Sequence, residues 1–451
     1  MSNQSHADEH RVVVTGLGII TPIGETPAGF RDSLRAGRSG ITRWKRMDEC
    51  CLSKVGGDLS DFDLAAHLER VGAGYPPHLV ERAHTVLRAT PLTGRLAAAA
   101  ALQAFVDAGL PDAGLEPERV AHLFGGNNLN MNYFVQNVLE FNEDPDSIDP
   151  LLGVVLWDTD ILGKIGELLT VKGPNYMIGN ACASGNVALL NGLDLLRSGR
   201  VDAVVVSAAT QELDPVALQG WALVDALVWR NFADEPQRAS RPWDVRREGF
   251  VPGEGAGAVI LETLAGARRR GARVYAELLG GAVTCDATRL PRPVVEGQVR
   301  VMRQALQAAG IPPEQVNYIN AHATSTLVGD AVEVAAIKEV FGEHACRIPV
   351  NATKSLIGHC LTAAALVEFV ALLVQMEYGF LHPTLNLEQP DEGFDLDFVP
   401  HVARPYQIEV GMSNSFGFGG LNACVLVGRM EEPGFRSPGV CDVEFPFAGG
   451  L

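Results

Sequence analysis

The sequence predicts an α/β protein built from two similar halves, and three observations carry that prediction. Short β-rich runs alternate with Ala/Leu-rich helical stretches along all 451 residues, the pattern of mixed or parallel sheets covered by helices. Hydrophobic residues make up 47% of the chain and charged residues 20%, a composition that can bury a core and is neither disordered nor fibrous. The third observation is an internal echo. Ala108-Gly-Leu-Pro111 leads to Pro117-Glu-Arg-Val120, and far downstream Ala309-Gly-Ile-Pro312 leads to Pro313-Glu-Gln-Val316. In both places an Ala-rich helix stops at a Gly-x-Pro turn before a strand. Helix–turn–strand units converging on similar stops would produce the same echo. Duplication instead places the halves at 11–267 and 268–428, with the seam at Gly266-Ala-Arg-Arg-Arg-Gly271 and an extended tail at 429–451.

Composition also excludes functions. There are 36 Lys plus Arg against 54 Asp plus Glu, a formal charge of −18, which argues against a general nucleic-acid binder. No apolar run approaches the roughly 20 residues that span a bilayer, and the polar N-terminus is no signal peptide. Eight cysteines contain no Cys-x-x-Cys pair, so zinc ribbons and disulfide frameworks are not expected and a reducing cytoplasm is.

Taken in order, residues 12–14 read as a strand, 95–108 as a helix and 176–178 as a strand. Cys182 follows at a turn, and from 183 to 197 the spacing of Val187, Leu190, Leu193 and Leu196 reads as a buried helix before a strand at 204–206. The residues around Cys182 are small, and a helix N-terminus stabilises thiolate and offers amides to an oxyanion. A small core cysteine is the alternative. Residues 316–321 read as a strand, followed by the turn His322-Ala-Thr-Ser-Thr326 and a helix opened by Asp330. Residues 348–351 form another strand, followed by Lys354, Gly358 and His359 and then a helix over 361–376. Each histidine thus sits at the C-terminal end of a strand, where α/β folds place their sites. The spacing of Cys182, His322 and His359 is too wide for a local metal motif. A cysteine nucleophile with histidines that donate hydrogen bonds or take protons is the better chemistry. In Met412-Ser-Asn-Ser-Phe-Gly-Phe-Gly-Gly420, glycines allow close backbone approach, so the loop either offers an amide and an aromatic gate or is a plain turn. Phosphate-loop, dinucleotide and Gly-x-Ser-x-Gly motifs are missing.

The four stretches Ala181-Cys182, His322-Ala-Thr-Ser-Thr326, Lys354-Ser-Leu-Ile-Gly-His359 and Asn414-Ser-Phe-Gly-Phe-Gly-Gly420 resemble, in order and spacing, the β-ketoacyl-acyl carrier protein synthases. The resemblance extends to Val12-Val-Val-Thr-Gly-Leu-Gly-Ile-Ile-Thr-Pro-Ile-Gly24, to Arg241-Pro-Trp-Asp244 with Gly249-Phe250, and to Gly253-Glu-Gly-Ala-Gly257. It is closest to the elongating, two-histidine synthases, and it implies the thiolase fold: two duplicated halves in a five-layer αβαβα arrangement. It implies that Cys182 accepts an acyl chain, that the amides of Cys182 and Phe418 form an oxyanion hole, and that Phe418 gates it. His322 and His359 would stabilise the enolate formed as a malonyl group loses carbon dioxide. Lys354 would orient this network with Glu333 as its ionic partner, and Thr324 and Thr326 would contact the pantetheine arm. No free cofactor or metal is implied, because substrates ride on acyl carrier protein. Arg230 falls where the family's docking arginine resides, with Lys45 and Arg46 as alternatives, and a cytoplasmic homodimer is expected. Ala323 in place of the usual glycine, Asn180 and Asn186 beside the nucleophile, and a bulky Trp157-Asp-Thr-Asp160, where the family has a small apolar stretch near the acyl tunnel and dimer interface, suggest a discrete polyketide-pathway ketosynthase. Two other readings stand beside condensation: a malonyl-carrier decarboxylase for β-branching, and a non-catalytic chain-length-factor-like partner, which the retained Cys182 opposes.

Overall fold

A computed structural model describes residues 8, 10–47, 51–287 and 292–430. The expected tail at 429–451 therefore lies, from 431 onward, outside the described residues. Ten strands form the main sheet: β1 Val12–Ile20, β2 Val120–Gly125, β3 Asn175–Ile178, β4 Ala203–Ala209, β5 Ala256–Thr263, β6 Ala276–Cys285, β7 Tyr318–Asn320, β8 Val350–Asn351, β9 Val410–Gly417 and β10 Leu421–Gly428. Five helices carry the argument: α1 Leu92–Asp107, α2 Ser184–Arg197, α3 Val295–Ala309, α4 Leu327–Phe341 and α5 Ala364–Tyr378.

The strand order is β8-β7-β9-β10-β6-β1-β5-β4-β2-β3. Starting at β1, the first five strands in space run β1, β5, β4, β2, β3, with two antiparallel pairings followed by two parallel ones. Starting at β6, the other five run β6, β10, β9, β7, β8 with the same sequence of pairings. Two five-stranded sheets of identical topology meet where Val12–Val14 pair with Ala276–Leu278. A chance convergence of turns would not reproduce the whole strand order, so the echo in the sequence reflects duplicated structure. This is the thiolase fold.

The layers follow from which helix faces which strands. Helix α1 packs on β1, β4 and β5, while α2 and α5 touch each other and sit between the sheets, α2 on β2 and β4, α5 on β5 and β9. Helix α3 packs on β6 and β10, and α4 packs on α3. Helix α1 fits tightly because Ala100 and Ala104 face the glycines of β1. A Cβ built on Gly18 would lie 1.9 Å from the Ala100 carbonyl oxygen. Helix α5 with its preceding turn, Leu361–Tyr378, is apolar and long enough to cross a membrane, contrary to the expectation that no stretch would be, yet 89% of it is buried as the central layer.

Strand edges differ from expectation in instructive ways. Strand β7 spans only Tyr318–Asn320 and β8 only Val350–Asn351, because their flanks turn early to present side chains. Helix α4 starts at Leu327 with Thr326 as its N-cap, the Gly329 N–H donating to Thr326 Oγ1 at 3.2 Å. Asp330 lies inside the first turn, accepting the Ser325 and Trp243 amides at 3.0 and 2.9 Å. Phe416 belongs to β9, and only Phe418 occupies the turn to β10.

Candidate active site

The nucleophile turn is built by local hydrogen bonding. After β3 the chain takes Ala181 at φ 48°, a left-handed conformation that a β-carbon disfavours and that clusters at functional sites. Ser184, the first residue of α2, locks this turn by accepting the Asn180 N–H at 2.8 Å and donating to the Ala181 carbonyl at 2.7 Å. Cys182 is thereby held just ahead of α2, buried, with its sulfur on two cavities. The β9–β10 hairpin closes over it. Gly417 makes this possible, since a Cβ there would lie 3.0 Å from both the Ala181 Cβ and the Asn180 carbonyl oxygen. The amides of Phe418 and of Cys182 itself act on the sulfur in the direction that favours thiolate.

His322 and His359 arrive from the other half. Nε2 of His359 lies 3.2 Å from Cys182 Sγ. The two imidazole rings sit edge to face at 5.4 Å between centroids. A donor atom from each of Cys182, His322 and His359 lies within 4.8 Å of the others. That distance could suit a single ion, so the wide sequence spacing does not decide the question of a metal. Burial pushes the Cys182 thiol up to about 11, against the Lys354 cation and the Phe418 amide, which favour thiolate. Burial, then the Lys354 charge, hold both histidines well below their usual value. The rings are neutral at pH 7, and each can carry one N–H donor.

Lys354 is fully buried, and its partner differs from the expected one. Nζ lies 2.5 Å from Glu368 Oε1 on α5. Glu333 does not make this ion pair because its oxygens are already committed, Oε1 to the His322 N–H at 2.9 Å and Oε2 to the Ala323 N–H at 2.8 Å. Asn414 Nδ2 adds a further donor to Glu333 at 3.2 Å. Glu333 thus fixes the backbone of the first histidine turn, where Ala323 sits at φ 27°. Burial raises both carboxyls, with Lys354 opposing the shift at each. Glu368 had a readable signal, a lone carboxylate in the apolar stretch 361–376, since an isolated buried charge needs a partner.

A cavity of about 400 Å³ connects Cys182, His322 and His359 to the surface and is lined by Thr324, Thr326 and Phe418. The two threonine hydroxyls lie 3.1 Å apart. Arg230 does not line the cavity but pairs at 2.5 Å with Asp225, which does, and stacks on Trp229 at 4.3 Å. Lys45 pairs with Asp61, and Arg46 donates to the Ser60 carbonyl. Asn186 donates to the Ser413 carbonyl and Ser415 Oγ, tying α2 to β9. Trp157 points outward and is 61% exposed, so the Trp157–Asp160 stretch does not line the cavities at Cys182. Asp158 acts one step removed, accepting the Asn128 and Leu129 amides at 2.8 and 2.9 Å. Phe250, part of the Gly249-Phe250 pair in the resemblance but given no role there, packs edge-on against His359 and Phe418.

Residues 9–267 match the family described as Beta-ketoacyl synthase, N-terminal domain, and residues 275–388 match Beta-ketoacyl synthase, C-terminal domain. The chain belongs to the β-ketoacyl synthase family. As a β-ketoacyl synthase it is an acyltransferase. It is 36% identical to 3-oxoacyl-[acyl-carrier-protein] synthase 2 of Coxiella burnetii over 94% of this chain and all of that protein. It is 37% identical to the Synechocystis enzyme of the same name, over 95% of this chain and all of that protein. It is also 32% identical to the polyketide biosynthesis malonyl-ACP decarboxylase PksF of Bacillus subtilis, covering 94% of this chain and 98% of that protein. Among solved structures, a type II polyketide ketosynthase in complex with its acyl-carrier protein superimposes with a TM-score of 0.82 at 29% identity, over 93% of this chain and 99% of the other. The ishigamide ketosynthase/chain length factor gives the same TM-score at 31% identity, with the same coverage.

Proposed function

We propose that this synthase joins an acyl group held on Cys182 to a malonyl group carried by acyl carrier protein. The observation that carries the reading is Cys182 Sγ at 3.2 Å from His359 Nε2, under two backbone amides and beside His322. In the first half-reaction the sulfur attacks the carrier-bound thioester. The tetrahedral oxyanion forms between the Cys182 and Phe418 amides, and the pantetheine thiol leaves with the proton that Cys182 gave up. In the second, malonyl thioester occupies the cavity past Thr324 and Thr326. His322 and His359 donate to its carbonyl as the carboxylate departs as carbon dioxide, and the enolate carbon attacks acyl-Cys182; the C–S bond breaks, the carrier-bound β-ketoacyl product leaves, and the expelled Cys182 thiolate takes a proton from solvent to restore the thiol. Fixed donors to such an oxyanion are worth about 3 kcal/mol each, and neutral rings are the form that supplies them without a competing positive charge. Lys354 and Glu368 position this pair, and Glu333 positions His322. No separate cofactor is required.

Arg230 is our choice for carrier docking, with the cavity-lining Asp225 as the group from which an acidic carrier would draw it. We also propose a cytoplasmic homodimer. Strand β3 is a sheet edge with Tyr176 exposed, and Phe134, Leu139, Phe141, Val154 and Trp157 expose apolar surface between β2 and β3, the kind of patch that marks an interface. A second reading, decarboxylation of malonyl-carrier protein alone, is favoured by the similarity to PksF. Incubation with malonyl-carrier protein, with and without acyl donors, separates the two. A β-ketoacyl product that disappears in Cys182→Ala supports condensation. Acetyl-carrier protein as sole product with every donor overturns it.

A further inference from the structure

Cys182 opens onto a second cavity, of about 460 Å³, distinct from the path past the threonines. Trp221, Phe250 and Leu361 give it apolar walls, whereas Asn127, Gln211 and Thr362 give it polar ones. Thr362 is already engaged: its hydroxyl donates to the Ala209 carbonyl at 2.8 Å and accepts the Gln211 N–H at 3.2 Å. The side-chain amides of Asn127 and Gln211 are different. Both residues are half-buried on the cavity wall, and neither amide makes a hydrogen bond to protein among the described residues.

Both amides are held in place by structure built around them. Asn127 precedes Asn128, whose φ is 53° and whose N–H is gripped by Asp158. Its side chain rests against Gly179, where a Cβ would come within 3.2 Å of the Asn127 Cβ. Gln211 follows Thr210, whose buried hydroxyl lies within hydrogen-bonding distance of the Gly253, Gly255 and Cys360 carbonyls. A wholly aliphatic acyl chain filling this space would take water from two amides and return no hydrogen bond, which is unfavourable for each. A chain bearing oxygen would replace those bonds, and a site whose amides are already positioned loses little entropy in forming them.

We propose that this cavity selects an acyl group carrying a hydroxyl or carbonyl on its chain, with Gln211 and Asn127 as the specificity-determining residues. The inference rests on Cys182 being the acylated residue. It also gives the Trp157–Asp160 stretch a part in specificity, because Asp158 fixes the loop that presents Asn127.

The test is competitive loading of the full chain, read by intact mass, with N-acetylcysteamine thioesters of hexanoate, 3-hydroxyhexanoate and 5-hydroxyhexanoate. At least one hydroxylated chain should load about tenfold faster than hexanoate, the scale set by a polar group matched or left unmatched in a site. Gln211→Met and Asn127→Leu keep side-chain size and should each cut that advantage several-fold, mostly by speeding hexanoate. Hexanoate loading as fast as both hydroxylated chains in the unmodified protein overturns the inference, whatever the variants do. So does an advantage that survives both substitutions. If no thioester labels Cys182, the reading it rests on falls first. Labelling of Cys182 without preference leaves that reading intact and removes only this one.

Discussion

Replacing Lys354 by Met should separate what the buried ion pair does for stability from what it does for the nucleophile. Nζ and Glu368 Oε1 are 2.5 Å apart, and both side chains are almost wholly inaccessible. Removing one partner strands the other, which typically costs about 3–5 kcal/mol. Unfolding entropy of about 2.1 cal/mol/K per residue gives roughly 0.9 kcal/mol per degree for a chain of 451 residues, so Lys354→Met should melt about 3–5 °C lower. The double variant Lys354→Met with Glu368→Met removes both charges, and replacing a buried pair by apolar groups is often neutral, so most of the loss should return. Activity should not return with it. Lys354 is the main influence pulling the Cys182 thiol down against burial, so both variants should need higher pH for iodoacetamide to alkylate Cys182. Melting curves and alkylation rates across pH 7–10, read by mass at Cys182, would check both halves. A double variant as unstable as the single one would refute the energetic argument. A Cys182 alkylation profile unmoved by Lys354→Met would refute the electrostatic one.

Burial raises Glu254 to about 7, above its unfolded value of 4.5, so it contributes full stability below pH 4.5 and loses it as pH rises through 7. Glu254→Gln should therefore match the parent at pH 4.5 and become more stable with rising pH, approaching about 3 kcal/mol at pH 8 by linkage; a constant difference across pH in denaturant titrations would contradict this. Ala323→Gly should raise the melting temperature by about a degree, because φ 27° costs an alanine roughly 1 kcal/mol or more that glycine escapes, and an unchanged or lower value would show the turn is not strained. Gly18→Ala should destabilise by about 2 kcal/mol or more through overpacking, since its methyl would meet the Ala100 carbonyl on α1; a variant with parental melting would mean that α1 can shift freely.

Much of this site was legible because its chemistry is local. Cys182, His322 and His359 each follow a short β-rich run and precede a helix, so their placement at strand ends needs only neighbouring residues. The same holds for Thr324 and Thr326, which fall in one turn and line one cavity. Partner choice is not local. Glu333 and Glu368 are both buried acids on helices near the histidines, and nothing in their immediate sequence says which faces Lys354. The decision lies in the backbone of the His322 turn, whose two N–H groups claim Glu333. Only half of the reading of Trp157–Asp160 fails, for a similar reason. Its bulk suggested a shortened acyl tunnel, whereas Trp157 faces outward, Asp158 acts through two backbone amides on Asn128 and Leu129, and the stretch lines neither cavity at Cys182. Strands β7 and β8 were read too long because their flanking residues are as apolar as the strands themselves, and the chain leaves the sheet to deliver His322 and Lys354.

The electrostatics of the site follow from one cause, and that cause links the two half-reactions. Burial raises the Cys182 thiol and lowers both histidines, so the resting centre holds a protonated sulfur between neutral rings. Such a centre has little charge to be solvated by water and can stay dry. The ionisable groups close by are buried and already engaged, Lys354 with Glu368 and Glu333 with the His322 and Ala323 amides. In the reaction proposed above, negative charge appears only when substrate brings it, first on the oxyanion under the Phe418 amide and then on the enolate beside His322 and His359. In a dry site those donors are stronger than they would be in water, and water is kept from quenching the enolate before it reaches acyl-Cys182. The desolvation that makes Cys182 a reluctant thiolate is thus the same condition that lets the enolate live long enough to form a carbon–carbon bond.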